Sequence, residues 1–146
     1  MSGAAPHPRQ TLVASWLAQM IGTIVLATVV MVFVKSTSMT LGTVAQEWQR
    51  YILIAVIVAA FPALGYLRTF KRRLNADVAA AQARGGIPDT TARNELLKSL
   101  ALGGALCELP MAIGVVQLLF GGETRWFLGA TLVTLAIRLS YRPFTR

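Results

Sequence analysis

The sequence has little from which a catalytic or metal centre could be built. Its 146 residues include one cysteine, Cys107, and one histidine, His7. A single cysteine cannot form an internal disulfide, and a single histidine cannot supply the ligand set of a zinc or haem centre. The sequence also contains no Ser–His–Asp set and no glycine-rich phosphate loop. We therefore expect no enzyme activity, no cofactor and no metal, and an inert buried thiol at Cys107.

Charged residues are also scarce, at 14% of the chain against about a quarter in soluble domains, whereas 55% of the residues are apolar. Acids are the rarest class, with six Asp and Glu against fourteen Lys and Arg, and the net charge is +8. The basic residues lie between long apolar runs, which is typical of membrane proteins. The composition therefore predicts an integral membrane protein that contacts the lipid bilayer and binds no nucleic acid.

Four apolar runs are present, and a helix needs roughly 20 residues to cross a bilayer. The runs cover residues of about 11–34, 48–70, 96–120 and 124–141. The last run has Arg125 and Arg138 near its ends and can span if both side chains extend to the headgroups. The first run is expected to be a retained span and not a signal peptide. We predict an all-α, four-span transmembrane helical bundle, a single membrane domain over 11–146 after a cytoplasmic tail at 1–10.

The connections between the runs carry helix-ending signals. The basic loop, residues 71–95, begins with "KRRLNADVAAAQAR", which is rich in helix formers and should prolong the second helix until "GGIPDT" ends it. Gly85 and Gly86 suit a helix C-terminus, and Asp89 or Thr90 could cap the next helix. Pro62 should bend the second span, because it has no N–H to donate. The short "FGGETR" turn predicts an antiparallel hairpin of the last two helices.

The Lys and Arg residues are distributed unevenly along the chain. Only Lys35, Arg50 and Arg125 lie on the side of the predicted membrane opposite to the basic loop. The positive-inside rule therefore places both termini and the basic loop in the cytoplasm, an N-in/C-in topology. A basic cluster directly after the second span is expected to contact lipid headgroups. This cluster consists of Arg68, Lys71, Arg72 and Arg73.

One acid, Glu108, lies inside the third run with no basic residue near it in the sequence. A charge at the centre of a span costs about 2.5–3.5 kcal/mol on insertion scales, so the protonated carboxyl is expected away from water or a cation. A protonated acid can donate a hydrogen bond, and it can also release and take up a proton. Its candidate partners on other spans are Gln19, Thr23, Thr28, Thr131 and Thr134. Gln19 and Gln117 are expected to form hydrogen bonds between helices.

Small residues surround Glu108 on its own helix face. At helical spacing, Ala101, Gly104 and Ala105 precede it and Ala112 follows it. Faces with small residues every four positions allow another helix to approach closely. We therefore predict a helix-packing groove at these four positions.

The order of carboxylate, proline, methionine, small residues and glycine in "CELPMAIGVVQLLFGG", residues 107–122, resembles the carboxylate helix of ATP synthase subunit c, the rotor proteolipid. The whole layout looks more like small, uncharacterised four-helix bacterial membrane proteins with a proteolipid-like third helix. The resemblance implies a multi-pass protein of the bacterial inner membrane. It also implies that Glu108 is a candidate proton or ion site.

Three roles for Glu108 stay open at this point: a structural hydrogen bond, proton or ion handling, and docking of a partner. The leading hypothesis for the protein is an accessory or assembly subunit of a larger, energy-transducing membrane complex. The alternative is a small oligomeric proton-coupled channel or transporter that uses Glu108. A membrane-protein partner or a homo-oligomer is expected in either case.

Overall fold

The computed structural model describes residues 8–38, 40–42, 47–87 and 89–143. Five helices joined by turns make up this part of the chain, which confirms the all-α prediction. The helices are α1 (Pro8–Thr37), α2 (Trp48–Ala83), α3 (Thr90–Cys107), α4 (Leu109–Leu119) and α5 (Thr124–Ser140). Most of the predicted tail, together with Arg146, lies outside the described residues.

Three stretches in the described part of the chain are long and apolar enough to cross a membrane. They are Gln10–Thr37, Trp48–Ala83 and Thr90–Leu119, the last formed by α3 and α4 together. These stretches include the first two predicted spans and all but the last residue of the third. The fourth predicted span corresponds to α5, which has 17 residues and is not among the candidate spans. The fold therefore has three candidate membrane spans and a shorter fourth helix that packs with them.

The connection from α2 to α3 follows the sequence signals. α2 continues as a helix through Pro62 and extends to Ala83. Gly85 and Gly86 then have positive φ angles of 67° and 85°, which glycine adopts without the steric penalty of a Cβ atom. The Asp89 carboxylate accepts hydrogen bonds from the backbone N–H groups of Thr91 at 2.9 Å and Ala92 at 3.5 Å. Asp89 is therefore the N-cap of α3, one of the two residues predicted for this role.

Buried side chains form two apolar clusters along the bundle. The larger cluster joins α1, α2, α3 and α5, and it includes Phe70, Leu100, Cys107 and Tyr141. The smaller cluster joins α1, α4 and α5 around Met111 and Phe127. Most of α1 and much of α2 remain exposed, including large apolar side chains along their lengths. These exposed faces have the composition expected for contact with lipid.

α4 and α5 form the tight antiparallel hairpin that the sequence predicted. Gly121 has a φ of 76°, which suits the turn after α4. A Cβ atom at Gly114 would lie 2.9 Å from the Cβ atom of Ala130, so these two helices approach closely because both residues are small. The hairpin thereby fixes which residues of α5 face α3 and α4.

Candidate functional site

The third candidate span is interrupted at Glu108, between the end of α3 and the start of α4. The backbone N–H of Glu108 donates to the carbonyl of Ala105, three residues back, at 3.2 Å. Pro110 lies at the start of α4, where its missing N–H removes no regular helix bond. The acid thus occupies a tightened turn between two helix segments that together form one candidate span.

The carboxylate of Glu108 forms an ion pair with Arg138 of α5. The same guanidinium nitrogen, Nη2, donates to the carbonyl oxygen of Gly104 at 3.2 Å. The Thr23 hydroxyl of α1 lies 3.2 Å from Oε1 of Glu108 and 3.0 Å from the carbonyl oxygen of Gln19. Its single proton can be donated to only one of these oxygens at a time. Three helices are therefore joined at one carboxylate oxygen.

Arg138 differs most from its sequence-based expectation. The fourth span was expected to cross if this side chain extended to the headgroups, and the sequence around Glu108 contains no basic residue. The Arg138 side chain is only 6% exposed and is directed into the bundle, whereas that of Glu108 is 33% exposed. Burial of both charges is tolerated because each compensates the other.

Two of the three guanidinium nitrogens of Arg138, Nε and Nη1, are buried without a hydrogen-bond partner among the described residues. The hydroxyl of Thr134, one helical turn earlier on α5, is buried and unpartnered in the same way. Buried polar groups without hydrogen-bond partners lower the stability of a fold. The polar contacts on this face of α5 therefore stabilise the bundle less than fully paired groups would.

The ion pair lies near the end of the bundle that carries Lys71, Arg73, Arg93 and Arg142, which we call the basic end. The backbone carbonyl of Arg138 accepts from Trp16 Nε1 at 2.9 Å. One turn beyond Arg138, the Tyr141 ring packs against Phe70 with a centroid distance of 5.4 Å. Gly103 lies against the same ring, five residues before Glu108. At 1.5 Å per residue, Glu108 is about 7–8 Å further into the bundle than the ring.

The predicted polar partners have different roles in the structure. The hydroxyls of Thr28 and Thr131 bond to backbone carbonyls four residues earlier on their own helices. The Gln19 side chain lies against Gly104 of α3. The Gln117 amide donates to the carbonyl of Glu123 at 3.4 Å, which places it at the turn after α4. Among the candidate partners of Glu108, the structure brings Thr23 to the carboxylate.

The four residues of the predicted groove lie in two environments. Gly104 is buried, and a side chain there would meet Gln19 of α1. Ala101, Ala105 and Ala112 are exposed on the outer surface of the bundle. We call these three residues the alanine strip. They flank the partly exposed carboxylate of Glu108 along one helix face.

The basic residues after the second span also divide into two groups. Arg73 donates from Nη1 to the Ser99 hydroxyl at 2.7 Å and thereby joins α2 to α3. Lys71 donates to the backbone carbonyl of Arg142 at 2.8 Å. Arg68 and Arg72 are exposed. Their contact with lipid headgroups stays a prediction.

Sequence analysis missed two kinds of residue in this site. Arg138 was assigned to the membrane surface, although its place one turn before Tyr141 would put it inside an aromatic boundary. Gly103 was not assigned to the packing groove, yet it lies directly against the Tyr141 ring. The two adjacent glycines at 103 and 104 were a signal that two different helices approach α3 at this level.

The chain matches no protein-family model, no curated protein and no solved structure. The resemblance of residues 107–122 to ATP synthase subunit c therefore has no support from these comparisons. Within the described residues, no group of three or more His, Cys, Asp or Glu side chains could hold a metal ion.

Proposed function

We propose that this protein is an accessory or assembly subunit of a larger membrane complex, with an energy-transducing complex of the bacterial inner membrane as the expected setting. One observation carries the proposal. Arg138 neutralises Glu108 within the chain, while a third of the carboxylate side chain is exposed beside the alanine strip. The site is thus internally compensated and still presents a polar group on the outer surface.

This surface is suited to a partner helix. The methyl side chains of Ala101, Ala105 and Ala112 allow a helix backbone to come close. The Thr23 and Arg138 contacts both use Oε1 of Glu108, so Oε2 can accept a hydrogen bond from a partner. A polar side chain on the partner helix would give that contact specificity, because an acceptor surrounded by lipid has no water to bind.

The ion pair with Arg138 also distinguishes this proposal from proton transport. The Glu108 carboxylate already accepts from a buried guanidinium, a contact that suits a structural role and that a carrier would have to break in each cycle. Two observations favour the alternative, a small oligomeric proton-coupled channel or transporter. Glu108 lies at the junction of α3 and α4 within one candidate span, and its side chain is partly exposed.

Native mass measurement after purification in mild detergent tests the accessory role. The unmodified protein should be recovered with a different membrane protein bound. Ala105→Leu places a bulky side chain on the alanine strip and should abolish this complex without unfolding the chain. Ala136→Leu, at an exposed position of α5, is the matched control and should leave the complex intact. Equal recovery of the complex with both variants would contradict docking at the strip.

Proton flux into reconstituted vesicles that contain a pH-sensitive dye tests the alternative. Glu108→Gln keeps the size and hydrogen bonding of the side chain but cannot exchange a proton. Flux that is present in the unmodified protein and abolished by Glu108→Gln would favour the transporter. Flux that survives the substitution would exclude Glu108 as the proton site, and no flux in the unmodified protein supports the accessory role.

The proposed topology has four spans with both termini in the cytoplasm, and the concentration of Lys and Arg at the basic end supports it. In a Cys107→Ala background, a cysteine at Ser38 should react with an impermeant thiol reagent added outside. A cysteine at Ala80 or Ser140 should react only after the membrane is opened. Labelling at Ser140 from outside would mean that α5 does not cross.

A further inference from the structure

The cations at the basic end, and Arg84 and Lys98 in the adjoining α2–α3 region, differ in what each one contacts. Arg93 donates to the Thr11 hydroxyl of α1 at 2.6 Å, and Arg73 donates to the Ser99 hydroxyl. Arg84 forms an ion pair with Asp89 at 3.1 Å, and Lys98 forms one with Glu95 at 3.1 Å. These four cations therefore have polar partners within the chain.

Lys71 and Arg142 are in a different situation. The Lys71 ammonium donates to the backbone carbonyl of Arg142 at 2.8 Å, so the two residues are held together across α2 and the end of α5. Their positive charges repel each other. No ion pair among the described residues includes either side chain. An ammonium has three protons, so Lys71 can donate to further acceptors.

The position of this pair indicates what would neutralise it. Phe70 and Tyr141, each directly before one of the two cations, pack ring against ring, and the Tyr141 hydroxyl donates to the carbonyl of Ala63 inside α2. The aromatic pair thus lies where α5 ends, and each of the two cations directly follows one of its rings in the chain. In a membrane protein this is the level of the headgroups, where phosphate is the abundant anion.

We propose that Lys71 and Arg142 together bind one phosphate group, and that this phosphate belongs to the headgroup of an anionic phospholipid. A phosphodiester oxygen can accept from the ammonium while another accepts from the guanidinium fork. The acyl chains then lie along the exposed apolar face of α2, where Leu64 and Phe61 are 43% and 64% exposed. Arg68 and Arg72, exposed on the same helix, add attraction for the anionic surface. This inference does not depend on the accessory role.

Native mass spectrometry of the detergent-purified chain, titrated with phosphatidylglycerol, tests the site. We expect one lipid to bind in preference to phosphatidylcholine, whose choline group cancels the headgroup charge. Arg142→Gln should weaken binding about fivefold, as expected for one basic residue near a membrane surface. It keeps the backbone carbonyl that Lys71 bonds, so the fold does not depend on the substituted side chain. Lys71→Arg should preserve binding, and Lys71→Gln should weaken it to a similar extent.

Lys98→Gln is the matched control, since it removes the same charge from a residue paired with Glu95. Equal weakening by Lys98→Gln and Arg142→Gln would overturn the proposal, because binding would then follow net charge alone. Inorganic phosphate and glycerol phosphate distinguish the source of the ligand. Displacement of the lipid by either one at equal concentration would show a site for soluble phosphate and would overturn the assignment to lipid. Retention of the lipid supports the assignment.

Discussion

The two ends of the bundle use their charged residues differently. At the basic end, side chains reach across helices: Arg93 bonds Thr11, 82 residues away, and Arg73 bonds Ser99, 26 residues away. At the opposite end, Arg125 pairs with Glu123, two residues away, and its side chain is 70% exposed. Cations that contribute equally to the positive-inside rule therefore differ in how much they stabilise the fold. Arg93 and Arg73 join helices, whereas Arg125 makes a local contact.

The largest loss of stability is expected when the most deeply buried of these cations, Arg138, is replaced. Arg138→Met leaves the Glu108 carboxylate without its counter-charge in an apolar setting. We expect the free energy of unfolding to fall by about 3–5 kcal/mol, as when one partner of a buried ion pair is lost. Equilibrium unfolding in detergent, followed by tryptophan fluorescence, measures this change.

The double variant Arg138→Met with Glu108→Gln provides the control for this prediction. It removes both charges, so most of the lost stability should return. A double variant that is no more stable than Arg138→Met alone would show that the two charges are not energetically coupled.

A smaller effect is expected from packing at the basic end. A methyl group at Gly103 would collide with the Tyr141 ring, which Phe70 and the hydrogen bond to Ala63 hold in place. Gly103→Ala should therefore cost about 1–3 kcal/mol of unfolding free energy, the usual range for overpacking. The thermal midpoint in detergent is a sufficient measurement.

Gly22 of α1 offers a matched comparison, because nothing lies within 4 Å of a Cβ atom placed there. Gly22→Ala should be neutral or stabilising, since alanine favours a helix over glycine by about 0.5–1 kcal/mol. Equal losses of stability at both positions would contradict the inferred contact between α3 and Tyr141.

Two substitutions that each remove one positive charge compare the two ends directly. Arg73→Gln loses the bond to Ser99 that joins α2 to α3, and it should cost about 1 kcal/mol. Arg125→Gln removes an exposed local pair and should change stability by about 0–1 kcal/mol, at the lower end of that range. The same unfolding assay compares them. A larger loss for Arg125→Gln would reverse our interpretation of the two ends.

The smallest expected effect is at Asp89, outside the candidate spans. The hydrogen bond from Arg84, together with the backbone N–H groups of Thr91 and Ala92, holds the pKa of this carboxyl below its ordinary value of 3.8. The contribution of Asp89 to stability is therefore fully present above that ordinary value and is lost as the pH falls through the lower folded pKa.

Asp89→Ala should accordingly lower the thermal midpoint slightly at pH 7, and its difference from the unmodified protein should shrink in strong acid. Asp89→Asn keeps a capping oxygen and should retain most of the effect of the cap without the pH dependence. A difference between Asp89→Ala and the unmodified protein that stays constant down to the lowest pH would exclude a contribution from the ionised carboxyl.

The sequence by itself determined the helices and most of their ends. Backbone hydrogen bonds within a helix are local, so run length, helix formers and caps are sufficient, as at Asp89 and the two glycines before it. The same local rules predicted the hairpin of α4 and α5. These rules could not decide whether α5 is long enough to span. The apolar length of α5 depends on whether the Arg125 and Arg138 side chains extend to the headgroups, and local rules do not predict that.

Only the tertiary structure decided the partner of Glu108. Arg138 lies 30 residues away, and its contact depends on the register of α5 against α3 and α4, which the close approach of Gly114 and Ala130 sets. A shift of α5 by one residue would rotate Arg138 by about 100° and direct it away from the carboxylate. Residue types and spacing along one helix contain no information on that register, so an acid that looked unpaired in the sequence is paired in the fold.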